Sequence, residues 1–148
     1  MKTLLEPSAV EEIIQRLQAL RPDSPRKWGK MNAHQMVCHL ADAFLGTTGR
    51  KPVSMKTGLF QRTVMKFFAL RVPAPWPHGI PTMPEMDQLL GGTPPVEFNK
   101  DRDALIAAIK PFLDAKKVPH PIFDAMDEWE WARWGYLHMD HHLRQFNA

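Results

Sequence analysis

The chain has 148 residues, 44% hydrophobic and 24% charged, which suits one soluble globular domain spanning residues 1–148. Its net charge of +3 is spread along the sequence, so no nucleic-acid partner is implied, and its single cysteine, Cys38, excludes an intrachain disulfide and a cysteine zinc cluster. The opening MKTLLEPSAVEE is no signal peptide. The most apolar stretch, VMKFFALRV, is broken by Lys66 and Arg71 and is too short to span a bilayer, so a cytoplasmic protein without a membrane partner is expected.

Helical spacing dominates from the N-terminus. Ser8, with Glu11 three residues later, has the form of a capping box, and Val10, Ile13, Ile14, Leu17 and Leu20 follow on one face until Pro22 and Pro25 end the pattern. Asn32 with Gln35 predicts a second start, and Ala33, Met36, Val37, Leu40 and Phe44 make its apolar stripe. Residues 58–71, GLFQRTVMKFFALR, predict a short amphipathic helix with basic residues on its polar side. Such a helix can lie on a membrane, but packing on the domain's own core is the favoured reading.

Seven prolines between Val72 and Val96 exclude a long helix or a central strand there. A loop of this length either walls a functional pocket or simply joins distant helix ends. Asn99 is the expected cap of the next helix, with Leu105, Ile106, Ile109, Phe112 and Leu113 facing inward and Pro111 predicting a kink or an early end. Asp127 with Glu130 opens the last helix, which runs to about Phe146. No stretch alternates as a strand does. The expected fold is all-α, a four-helix up-down bundle with a long proline-rich crossover loop and a short extra helix.

The chemistry concentrates in the last helix. Trp131, Trp134, Gly135, His138, His142 and Gln145 recur at spacings of three and four, which makes them its inward stripe. His138 and His142 are i and i+4, so their imidazoles stack one turn apart and can chelate one metal ion. His141 lies at the edge of the same face and is an alternative to His142. The pair alone equally suits a polar helix end. Its place on an aromatic inward stripe favours a metal, because two stacked buried imidazoles need partners for their nitrogens.

A third ligand should come from another helix, and His39 in VCHLAD, beside the apolar stripe, is the best candidate. His34 at the helix start is expected to be exposed, and His120 and His78 fall in proline-rich loops where solvation is the ordinary fate. Gln145 is a modest expectation for orienting His142, Asp140 is expected to point away from the stripe, and Asp42 reads as a surface residue. Glu85 or Asp87 could act as a general base if the middle loop folds over the site. Cys38 is expected to be a core residue rather than a nucleophile. Trp131 and Trp134 either wall the pocket or pack the core.

The segments WGKMNAHQMVCHLADAF and WARWGYLHMDHHLRQF together resemble the DinB/YfiT-like metalloenzyme superfamily, most closely an uncharacterised branch of it. The resemblance covers most of the chain in outline and is specific at HLAD and at H-x-x-x-H. It implies a four-helix bundle and a metal site of three histidines, at the positions of His39, His138 and His142. It also implies a divalent transition metal (zinc, nickel or iron), a small-molecule substrate, a low-molecular-weight thiol as co-substrate in some members, and often a homodimer. The long proline-rich insertion departs from the superfamily's general pattern. Two readings follow: a thiol-dependent transferase or hydrolase, or a non-catalytic binding or stress-associated bundle whose metal is vestigial or absent.

Overall fold

A computed structural model describes all 148 residues as five α-helices without a strand: α1 (Pro7–Ala19), α2 (Ala33–Thr47), α3 (Lys66–Arg71), α4 (Phe98–Asp114) and α5 (Glu128–Gln145). One contiguous core joins them. Ile13 and Leu17 of α1, Met36, Val37 and Leu40 of α2, Leu105 and Phe112 of α4, and Met139 and Leu143 of α5 are all buried within it. These are the positions that helical spacing selects. α1 packs against α4 and α5, and α2 packs against the same two helices, so each early helix lies between the two late ones. α5 meets α4 across Gly135, where a Cβ would come within 2.9 Å of Phe112 and 2.7 Å of Leu4. Any larger residue there would push the helices apart.

The helix starts follow the expected caps in two cases and differ in two. Asn32 and Gln35, and Asp127 and Glu130, both form reciprocal capping boxes. Ser8 is not a cap. Pro7 takes the first helical position, where its missing N–H costs nothing, and the Glu6 carboxylate turns back to accept from the Thr3 N–H at 3.1 Å. Asn99 is not a cap either. Glu97 takes that role, its carboxylate accepting from the N–H groups of Asn99 and Lys100. Pro111 does not end α4, which continues to Asp114, less than one turn beyond it. Only one intrahelical donor is lost so close to the end.

Residues 58–71 are helical as expected, but not packed as expected. A π-helical turn, Gln61–Met65, leads into α3, and Leu70 alone of its large apolar side chains is buried. Leu59, Phe60, Val64, Phe67 and Phe68 face solvent. Lys66 is held by Glu130 at 3.2 Å and Arg71 lies over the ring of Trp129, so the basic side of this helix faces α5 and leaves the apolar side outward.

His120 is the other departure, since it is buried rather than solvated. An isolated antiparallel bridge joins His120 to Asp124 and closes a tight turn. Within it, Nδ1 of His120 accepts from the N–H groups of Ile122 and Phe123, each at 3.1 Å. The ring stacks on Phe123 and packs against Trp131 and Trp134. Burial pushes its pKa down to about 3.

The unfolded chain therefore takes up a proton near pH 6.5 that the folded chain refuses until about pH 3. His120 supports the fold fully above pH 6.5 and opposes it increasingly below. His120→Asn keeps an acceptor for the two N–H groups and removes the titration. It is expected to be less stable than wild type at pH 7.5, with the gap closing by roughly 1.4 kcal/mol per pH unit once the pH falls below 6.5. Urea unfolding at several pH values measures this, and parallel stability curves would overturn it.

Candidate metal centre

α2 and α5 bring three imidazoles to one place. His39 is buried, and His138 and His142 are partly so. Their ring centroids stand 5.1 Å (His39–His138), 4.7 Å (His39–His142) and 5.0 Å (His138–His142) apart. One nitrogen from each lies within 4.8 Å of the other two, so the group could hold a metal ion. The closest pair, Nε2 of His39 and Nε2 of His138, is 3.2 Å apart. Two nitrogens bound to one tetrahedral ion stand roughly 3.3–3.4 Å apart, so these atoms are spaced as ligands are.

The hydrogen bonds around the group decide which nitrogens carry protons. Nδ1 of His39 faces the carbonyl of Met86 at 3.0 Å. A carbonyl only accepts, so this nitrogen donates and the Nε2 lone pair is free. Nδ1 of His142 faces Oε1 of Gln145 at 3.1 Å, and Nε2 of Gln145 donates to the Trp28 carbonyl at 2.6 Å. The second bond fixes which way the amide points, so Nδ1 of His142 must donate, again leaving its Nε2 lone pair free. Nδ1 of His138 is buried without a partner. No protonation state of His138 satisfies both of its nitrogens from protein groups alone.

Electrostatics keep the group neutral. Burial is the main cause holding the pKa of all three histidines below the ordinary value, well below it for His138 and His142, and the mutual proximity of the rings adds to it for those two. Neutral imidazoles are the form that binds metal. Trp134 covers one side of His138, with ring centroids 5.0 Å apart, while Trp131 packs on Phe112 and His120 in the core.

The surroundings correct several expectations. Asp42 is not a surface residue. It is 1% exposed, accepts from the N–H and hydroxyl of Thr93 at 2.7 and 2.6 Å, and pairs with Lys51 at 2.9 Å. Glu85 and Asp87 are not poised as bases. Glu85 binds the N–H and hydroxyl of Ser54, and Asp87 accepts from the Leu89 N–H at 2.9 Å. The middle loop contributes the Met86 carbonyl instead, which sequence could not reveal because every residue has one. Asp140 points away as expected, held by Arg16 at 2.8 Å and Arg144 at 2.9 Å. His141 turns from the triad toward Trp28, Trp76 and His78.

His34 is not exposed. It lies 2.7 Å from Asp101, beside Cys38. These three side chains also fall within ligand distance of one another. The same Asp101 oxygen already accepts from the N–H groups of Val96 and Glu97, and burial pushes the Cys38 thiol up to about 11. A protonated thiol and a committed carboxylate tie α2 to the start of α4 and do not make a metal site.

The fold and the site thus define an all-helical protein with a three-histidine cluster able to hold a metal. Residues 2–148 match the family described as "Protein of unknown function (DUF1569)", and the chain belongs to that family. No curated protein and no solved structure matches the chain.

Gln145 carries the orientation of His142, so Gln145→Leu is expected to weaken metal binding about 10- to 100-fold while leaving the three ligands in place. Gly29 has φ +79°, and a Cβ there would collide with the Gln145 amide, so Gly29→Ala is expected to act in the same direction. Competition titration of zinc against a chromogenic chelator measures both. Unchanged affinity in Gln145→Leu would show that His142 is not oriented this way.

Proposed function

We propose that this protein is a divalent-metal-dependent enzyme acting on a small molecule, as a thiol-dependent transferase or a hydrolase, within a DinB-like four-helix up-down bundle. The observation that carries this reading is the meeting of three neutral imidazoles from two helices, two with their protonation fixed by outer hydrogen bonds. The alternating contacts of α1 and α2 with α4 and α5 support the bundle.

His39, His138 and His142 would hold the ion. Three protein ligands leave a tetrahedral ion one open position, as in catalytic rather than structural sites. A bound ion would supply Lewis acidity, easing deprotonation of an exogenous water or thiol near neutral pH. Imidazole ligands suit zinc, nickel and iron. Met86 and Gln145 keep the imidazole lone pairs inward, and Trp134 limits water at His138. No acidic side chain reaches the triad in a position to serve as its base, so the proton would pass to solvent water at the partly exposed edge of His138 and His142.

The same reading includes a second copy of the chain as partner. The exposed apolar face of Leu59, Phe60, Val64, Phe67 and Phe68 supports it, since so many adjacent apolar side chains are rarely left to water. No helix is long and apolar enough to cross a membrane.

Elemental analysis of untagged protein purified without chelators is expected to give about one transition-metal ion per chain, lost in His138→Ala. Absence of metal even after incubation with zinc and nickel would favour the non-catalytic binding module. Sedimentation equilibrium is expected to report a dimer that Phe67→Asp with Phe68→Asp converts to monomer, and a monomeric wild type would remove the second copy from this reading.

A further inference from the structure

A cavity of about 750 Å³ contains none of the three histidine ligands. It opens on the neighbouring face of α5, between the loop after α1 and the proline-rich loop. Its size is that of a small-molecule site. At its base lies Arg133, 5% exposed. Nε of Arg133 donates to the Leu70 carbonyl at 3.2 Å and Nη1 donates to the Lys2 carbonyl at 2.7 Å, and no carboxylate pairs with it. Asp140 and Glu6 act on this guanidinium only from beyond ion-pair distance, and its remaining donors meet no protein acceptor.

The other charges around the cavity are mostly taken. Lys2 is bound to Glu12, and Arg144 to Asp140, which Arg16 also holds. Lys27 lines the same space with its side chain free of any ion pair. The walls are planar. Trp28 and His78 stack 3.8 Å apart and nearly parallel, and Trp76 lines the same space. The indole N–H of Trp76 is already spent on the Ala69 carbonyl at 2.9 Å, so its ring offers surface and not a donor. Trp76 also lies 6.2 Å from both His138 and His141, which makes it the partition between cavity and triad.

We propose that this cavity binds an organic carboxylate with a planar, unsaturated body, its carboxylate on Arg133 and its body against the aromatic wall of Trp28, Trp76 and His78, as the substrate-binding site beside the histidine triad. The proposal rests on the metalloenzyme reading for the word substrate, but the binding itself does not. Nη2 of Arg133, the guanidinium nitrogen that no protein carbonyl takes, offers charged N–H donors to a carboxylate, whereas Lys27 adds a point charge.

The test uses the full chain and naphthalene-2-carboxylate, with naphthalene-2-carboxamide as the neutral probe, in isothermal titration calorimetry. Wild type is expected to bind the carboxylate and to bind the amide more weakly. Arg133→Met is expected to weaken carboxylate binding about 10- to 100-fold and to leave the amide unchanged. Lys27→Gln, at an exposed position that keeps the fold, is expected to weaken the carboxylate severalfold. Trp28→Leu is expected to weaken both probes. His39→Ala removes a ligand atom of the triad at a position outside the cavity lining, and it is expected to retain the preference for the carboxylate over the amide. A carboxylate that binds Arg133→Met and Lys27→Gln normally but fails with His39→Ala would place the anion on the metal and overturn the proposal. Failure of wild type to bind either probe would overturn it as well, while leaving the metal stoichiometry of the triad unaffected.

Discussion

Three imidazole rings are held with one nitrogen each facing the others in a largely buried space, and the rest of the structure is arranged around that constraint. Left alone, such a cluster is unfavourable. Two acceptor nitrogens repel, and protonating any ring to relieve the repulsion means burying a charge. The protein relieves it only in part from within. His39 and His142 each spend their only donor outward, on Met86 and Gln145, so nothing remains to turn inward except the proton of His138. A cation is the group that would satisfy all three at once, and this deficit is a stronger argument for a metal than the count of histidines.

Holding that arrangement requires chain segments distant in sequence. The Met86 carbonyl comes from the proline-rich loop, which has no regular structure to fix it. Asp42 does so, one helical turn after His39, by gathering the N–H and hydroxyl of Thr93 and the side chains of Gln88 and Lys51. The HLAD segment therefore has two functions on adjacent turns of α2: its histidine offers a ligand atom, and its aspartate anchors the loop that orients the histidine. On the other side, Gln145 links His142 to the Trp28 carbonyl, and the Lys27 N–H returns to the Gln145 carbonyl at 2.7 Å. Gly29 sits there because a side chain would occupy the place of the Gln145 amide.

What was legible in the sequence was whatever depends on period and on side-chain type. The spacing of His138 and His142, the stripe around His39, and the capping pairs at Asn32 and Asp127 follow from helix geometry, and the structure has them so. What was not legible depends on long-range packing or on the backbone. Met86 acts through a carbonyl, which carries no signature. Asp42 and His120 look like surface residues because their partners, Thr93 and the turn of Phe123, are brought to them by the fold. The helix at 58–71 shows that a stripe predicts amphipathicity but not which side is covered. The ion pair of Lys66 with Glu130 turned its basic side inward.

α5 serves two neighbouring sites because two of its faces are buried by different parts of the chain. His138 and His142 meet α2, while Arg133, Leu137, His141 and Arg144, offset by one position or so, meet the proline-rich loop and the segment around Trp28. Adjacent faces of one helix differ by about 100°, so a molecule filling the second space comes to rest a side chain's width from the first. Trp76 occupies that width. Its position is set by a hydrogen bond to Ala69, by packing against the core and by the prolines that precede and follow it. Prolines restrict the backbone without supplying donors, and core packing of Trp76 and Met86 holds this wall against the bundle. The length and proline content of the loop, which a simple connection between α3 and α4 would not need, are accounted for by the two things it builds: an acceptor for His39 and a wall between the triad and the cavity.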